Sequence, residues 1–121
     1  MSTMQEFADF SITFNTDIIR IRRKISEYIP ENYKGFIEYG NKLIEERLVL
    51  VTSLASLNKY LDKSSLEYLP EKTKSSTELE RKVSLDASTC PIRYLRDVCE
   101  GVLKTLDFKL SFINNQYDMS K

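Results

Sequence analysis

The chain contains no histidine and no tryptophan, and only three glycines, three prolines and two cysteines in 121 residues. Without histidine there is no imidazole acid or base near neutral pH, no Ser-His or Cys-His nucleophile, and no imidazole metal ligand. Three glycines are too few for a phosphate-cradling loop. Cys90 and Cys99 are too few for a zinc site or a disulfide framework. They read as two reduced thiols of a cytosolic protein. Charge of one sign is not in excess either. Eighteen Lys and Arg balance eighteen Asp and Glu, which argues against a dedicated nucleic-acid binder. No Asn-x-Ser/Thr sequon occurs, and the acidic N-terminus lacks the apolar segment of a signal peptide. The longest apolar run, Leu48 to Leu57, is broken by Thr and Ser and is too short to span a bilayer. The carboxylate pairs Glu45 and Glu46, and Glu31 and Glu38, are the candidate metal ligands, but no Glu-x-x-His accompanies them. These absences predict a cytoplasmic, non-enzymatic protein without cofactor or metal.

What the chain does have is helical periodicity. Residues 33–62 place Tyr33, Phe36, Ile37, Gly40, Leu43, Ile44, Leu48, Leu50, Val51, Leu54, Ala55 and Leu61 on one broad stripe at 100° per residue. Arg47 and Asn58 fall inside it. There they either fix register or reach the stripe edge. Upstream, Phe7, Phe10, Phe14, Ile18, Ile21, Ile25 and Tyr28 recur by threes and fours as a heptad-like seam. Pro30 breaks the two helices apart; either Asn32 caps the second helix, or Pro30 is its first residue after a very short turn. So short a connection predicts antiparallel neighbours or a sharp kink.

The segment 63–90 is rich in Ser, Thr, Lys and Glu and contains Pro70, so it reads as a mobile linker with a short helical piece over 77–85. Within it, Arg81-Lys82-Val83-Ser84 makes Ser84 a candidate phosphosite. Ser88 or Thr89 followed by Pro91 predicts the start of a last helix over 91–114. That helix carries two apolar rows. One is Ile92, Leu95, Cys99, Val102, Leu103, Leu106, Leu110 and Ile113. The other is Tyr94, Val98, Gly101, Thr105, Phe108 and Phe112. A helix apolar on two faces is covered on two sides; the second row is therefore the candidate protein interface, or else the 63–90 segment folds back and covers it with Leu66, Tyr68 and Leu69. The fold expected is therefore all-α and single-domain over 1–121. Three long helices, near 3–29, 32–62 and 91–114, form an antiparallel, coiled-coil-like bundle completed by a second chain.

The stretch 29–62 resembles the inverse-BAR (IMD) family. The resemblance rests on Ile29-Pro30, Tyr33, Phe36-Ile37, Gly40-Asn41 and Tyr60-Leu61-Asp62, with 92–112 similar to that family's next helix. It implies an antiparallel dimer of long helices that binds and shapes anionic membranes. Such domains are about twice this length and bear basic clusters near their tips. Here the only such cluster is Arg20, Arg22, Arg23 and Lys24. It reads either as a solvated face with i,i+4 ion pairs or as an anion or lipid patch.

Two functions follow. The first is a scaffold or adaptor subunit that forms homo- or hetero-oligomers with protein partners in a cytosolic or trafficking assembly. The alternative is a curvature-associated module, peripheral at anionic membranes.

Overall fold

The structure, a computed structural model, describes residues 3–67 and 78–119; the side chains of Glu67, Arg81, Ser84, Ser88 and residues 117–119 lie outside the description. The described residues are all-α with no strand, forming α1 (Thr3–Ser26), α2 (Tyr33–Glu67) and α3 (Glu78–Met119).

The first helix stops at Ser26 rather than at 29. Ser26 Oγ turns back to donate to the Arg22 carbonyl at 2.9 Å. The seam of α1 is buried at Phe7, Phe14, Ile18, Ile21 and Ile25, but Tyr28 lies beyond the helix and stands 97% exposed. Ile12 and Ile19, off the seam, are exposed. Asn32 caps α2 as expected: its Oδ1 accepts from the Gly35 N–H at 2.7 Å and its carbonyl from the Phe36 N–H at 2.9 Å. This turn is why residue 35 is a glycine. An added Cβ would stand 2.9 Å from both Asn32 Oδ1 and Pro30 Cβ.

Helices α1 and α2 run in opposite directions. Phe7 meets Tyr60 edge-on at 6.1 Å between ring centroids, and Arg20 meets Glu46 at 3.0 Å. Near the turn, Tyr39 reaches the end of α1. Helix α3 runs back along α2. The Cys99 thiol donates to the Leu50 carbonyl at 3.3 Å, and Arg47 pairs with Asp107 at 2.7 Å. The core between the three is apolar, with Phe14, Ile21, Leu43, Leu50, Leu57, Ile92, Cys99 and Leu106 almost wholly shielded from water. Burying side chains of this size is the main source of stability in such a fold, about 1.5–3 kcal/mol each.

Two sequence expectations need correction. The stripe proposed for α2 is too broad. Its buried line is Tyr39, Leu43, Leu50 and Leu57, whereas Tyr33, Ile44, Leu48 and Val51 are exposed. The line includes Tyr39 and Leu57, which the stripe omitted, because α1 and α3 meet α2 along a narrower seam than the apolar residues could occupy. The 63–90 segment is helical wherever it is described. α2 continues to Glu67 and α3 begins at Glu78, with residues 68–77 outside the described residues. Pro91 therefore lies inside α3. An internal proline removes an N–H and disfavours a helix by about 3 kcal/mol. Around it side chains serve the backbone. Thr89 Oγ1 donates to the Leu85 carbonyl at 3.0 Å, and Arg93 donates to the Asp86 carbonyl at 2.6 Å. Thr89 is thus a mid-helix residue bonded one turn back, not an N-terminal cap.

Candidate functional site

Helix α3 presents its two rows to different surroundings. Ile92, Cys99 and Leu106 are fully buried, with Val102 and Ile113 nearly so, against α1 and α2. The second row points mostly to water. Tyr94 is 67%, Phe108 79% and Phe112 48% exposed. Gly101 and Thr105 are exposed, and Val98 is half-buried. The row continues upstream through the exposed Ala87 and Cys90. Val98, Gly101, Val102 and Thr105 line a shallow groove with Arg22, Ile25 and Ser26 of α1. A Cβ on Gly101 would have no heavy atom within 4 Å. The glycine therefore makes no close approach among the described residues, although it costs the helix about 1 kcal/mol relative to alanine. Thr105 Oγ1 donates to the Gly101 carbonyl at 3.0 Å, so the hydroxyl is turned onto its own helix.

A second, shorter run of exposed apolar residues lies on α2: Ile44, Leu48 and Val51. It borders an apolar groove between α2 and α3, lined by Ile37, Gly40, Ile44 and Leu110. The sequence stripe contained these residues but treated them as core. Leu66, a candidate cover for the α3 row, instead shares a groove with Asp62 and Leu85. Tyr68 and Leu69, named with it, are outside the described residues.

Two of the four residues of the basic cluster near the end of α1, Arg20 and Lys24, are engaged with carboxylates. Arg20 Nε donates to Glu46 at 3.0 Å and its Nη1 to Asp17 at 2.8 Å. The hydrogen bond to Glu46, then that to Asp17, raises the Arg20 pKa further and keeps the guanidinium charged. Lys24 pairs with Glu27 at 3.3 Å. Arg22 and Arg23 are exposed. Arg20, Arg23, Lys24 and Lys42 share a groove with Glu27, Glu45 and Glu46, so the groove carries both signs. Of the carboxylates considered as metal ligands, Glu46 is thus taken up by Arg20. Glu45 borders the same groove, while Glu31 and Glu38 are exposed on the turn and on α2.

Sequence reasoning missed a polar clasp at the end of α1. The Tyr39 hydroxyl donates to the Lys24 carbonyl at 2.6 Å, with the Ile25 and Glu27 carbonyls each 3.4 Å away. Lys109 of α3 donates to the Glu27 carbonyl at 3.1 Å and sits 5.9 Å from the Tyr39 ring centroid. A helix ends with orphan carbonyls; here one side chain from each of the other helices supplies donors. Burial, and secondarily the charge of Glu27, raise the Tyr39 pKa. The signal was present in the periodicity, since Tyr39 lies one turn before Leu43, but Tyr39 was left off the apolar stripe.

Cys99 is a core residue. Burial, and secondarily Glu100, push its thiol up to about 11, far from the thiolate needed for nucleophilic chemistry. Cys90 is exposed. The Ser84 backbone is helical, and its side chain is outside the described residues. Arg47 sits at the stripe edge with Asp107, and Asn58 faces outward. Compared with known proteins, the chain matches no family model, no curated protein and no solved structure.

Proposed function

We propose that this chain is a non-catalytic helical scaffold or adaptor subunit, whose three helices form a bundle that docks another protein chain along the outer row of α3. The observation that carries this reading is the exposure of Tyr94, Phe108 and Phe112 on one side of α3, around a glycine that no contact among the described residues requires. Contiguous exposed aromatic surface of this kind marks interaction sites on soluble proteins.

The inverse-BAR resemblance supplies the competing reading, a module on anionic membranes. The engagement of Arg20 and Lys24 by Asp17, Glu46 and Glu27 favours the scaffold. A headgroup phosphate would have to displace carboxylates already in place.

Sedimentation velocity with far-UV circular dichroism tests the scaffold. The Phe108→Ala, Phe112→Ala double variant should lose assembly while keeping its helicity. A wild-type chain that stays monomeric at micromolar concentration, with no partner recovered from cells, would defeat the reading. Co-sedimentation with phosphoinositide-containing vesicles at moderate salt tests the membrane alternative. Loss of vesicle binding on Arg22→Glu, Arg23→Glu substitution would favour it instead.

A further inference from the structure

Resting on the docking role proposed for α3, we propose that the occupant of its outer row is a second copy of this chain, paired antiparallel, with the two-fold axis between Val98 and Gly101. The argument is the fit of the row to itself.

Charges choose among the ways two copies can align. Asp97, exposed and loosely paired with Arg96 at 3.6 Å, and Lys104, exposed, flank the row on the same edge, one heptad apart. In a parallel pairing, opposite edges meet with an offset of about five residues, which sets Lys104 beside Lys109 of the second copy. In an antiparallel pairing centred between Gly101 and Thr105, Lys104 faces its own counterpart. Both alignments oppose like charges. Moving the antiparallel axis back toward Val98 sets Asp97 of each copy against Lys104 of the other, and the symmetry makes the attraction twice over.

Sizes choose the same alignment. With the axis there, Val98 packs over Gly101 of the second copy and Tyr94 over Thr105. Further out, Phe108 meets Pro91, and Phe112 meets Ala87. Each layer sets a large side chain against a small one, as close packing of facing helices requires. The glycine whose Cβ would meet nothing among the described residues gains a reason, because Val98 of the second copy occupies that space. Pro91, Ala87, Asp97 and Lys104 are all exposed, so the whole length from 87 to 112 is available, about 37 Å of helix.

The test is a charge exchange read by sedimentation at low ionic strength. The wild-type chain should be a dimer. Asp97→Lys alone opposes two lysines at each contact, and Lys104→Asp alone opposes two aspartates. Each should weaken dimerisation roughly tenfold. Mixed in equal amounts, the two variants should recover wild-type association, because every contact again joins opposite charges. Register is checked independently. Ser111→Cys sets a thiol opposite the exposed native Cys90 of the second copy, and a short bismaleimide should then link two chains. Within one chain those positions are about 32 Å apart along the helix. A dimer whose two variants do not complement each other, or whose Ser111→Cys form does not cross-link, overturns the alignment. A wild-type monomer overturns the second copy as occupant. If Phe108→Ala, Phe112→Ala then abolishes capture of a different protein, the docking role survives that failure; if it does not, both fail together.

Discussion

Both rows of α3 carry large apolar side chains, yet they meet opposite surroundings. Cys99 and Leu106 sit on the inner row with no exposed surface, while Phe108, two residues from Leu106, is 79% exposed. On a helix two residues are about 200° apart, so this step alone crosses from core to surface. Hydrophobicity by itself did not sort the rows. Which row is inside depends on where α2 and α1 lie, and the inner row wins because it offers aliphatic side chains of even size to both neighbours. The outer row groups its smaller residues, Val98, Gly101 and Thr105, between Tyr94 at one end and Phe108 and Phe112 at the other, which suits a facing helix that brings large side chains over the small ones.

Substitutions can break this contrast. The largest effect is expected from Leu106→Ala, which removes a fully buried side chain. It should lower unfolding free energy by about 2–5 kcal/mol in urea titrations. A loss comparable to that of a surface change would mean the inner row is not core.

The next effect is on pH dependence. The folded-state pKa of Cys99 lies near 11, above its ordinary value of 9.0, and that of Tyr39 is raised above 10.0. A raised pKa means the folded state holds its proton more tightly than the unfolded chain. The stability this provides is complete below about pH 9 and is lost as pH rises through the folded values. Thermal unfolding should therefore fall in midpoint between pH 9 and 11, and Cys99→Ala should flatten that slope whatever it does to the midpoint at neutral pH.

Smaller still is Gly101→Ala. The site is open, so replacing a helix-interior glycine should raise monomer stability by about 1 kcal/mol. The same change at Gly35 should be destabilising, because its Cβ would collide with Asn32 and Pro30. Denaturant midpoints of the two variants moving in the same direction would contradict the geometry. Smallest of all is Phe108→Ala, which should alter the stability of the isolated monomer by no more than about 0.5 kcal/mol. A large loss measured under dilute, monomeric conditions would show that the outer row is covered within the chain.

Much of this was legible in the residues. The seam of α1 is read directly from Phe7, Phe14, Ile18, Ile21 and Ile25, because these recur by threes and fours while, of the large apolar residues, only Ile12 and Ile19 fall off it. Asn32 announced its cap through side-chain chemistry that acts within three residues. The start of α3 was misread because Pro91 after Ser-Thr is also a strong local signal for a helix beginning; the helix passes through it, with Thr89 and Arg93 bonding to nearby carbonyls. The clasp of Tyr39 and Lys109 on the end of α1 was invisible, since 15 residues separate Tyr39 from Lys24, and 82 separate Lys109 from Glu27.

The sequence by itself determined that this protein is helical, where its first turn falls, and that its last helix carries apolar residues on two sides. Those features arise from periodicity and short-range chemistry. Only the tertiary structure decided that Ile44, Leu48, Tyr94 and Phe108 face water while Tyr39 and Leu57 do not, and that Arg20 is held by Glu46 across a helix pair. A helix specifies its own faces, but what lies opposite each face depends on how distant parts of the chain pack together.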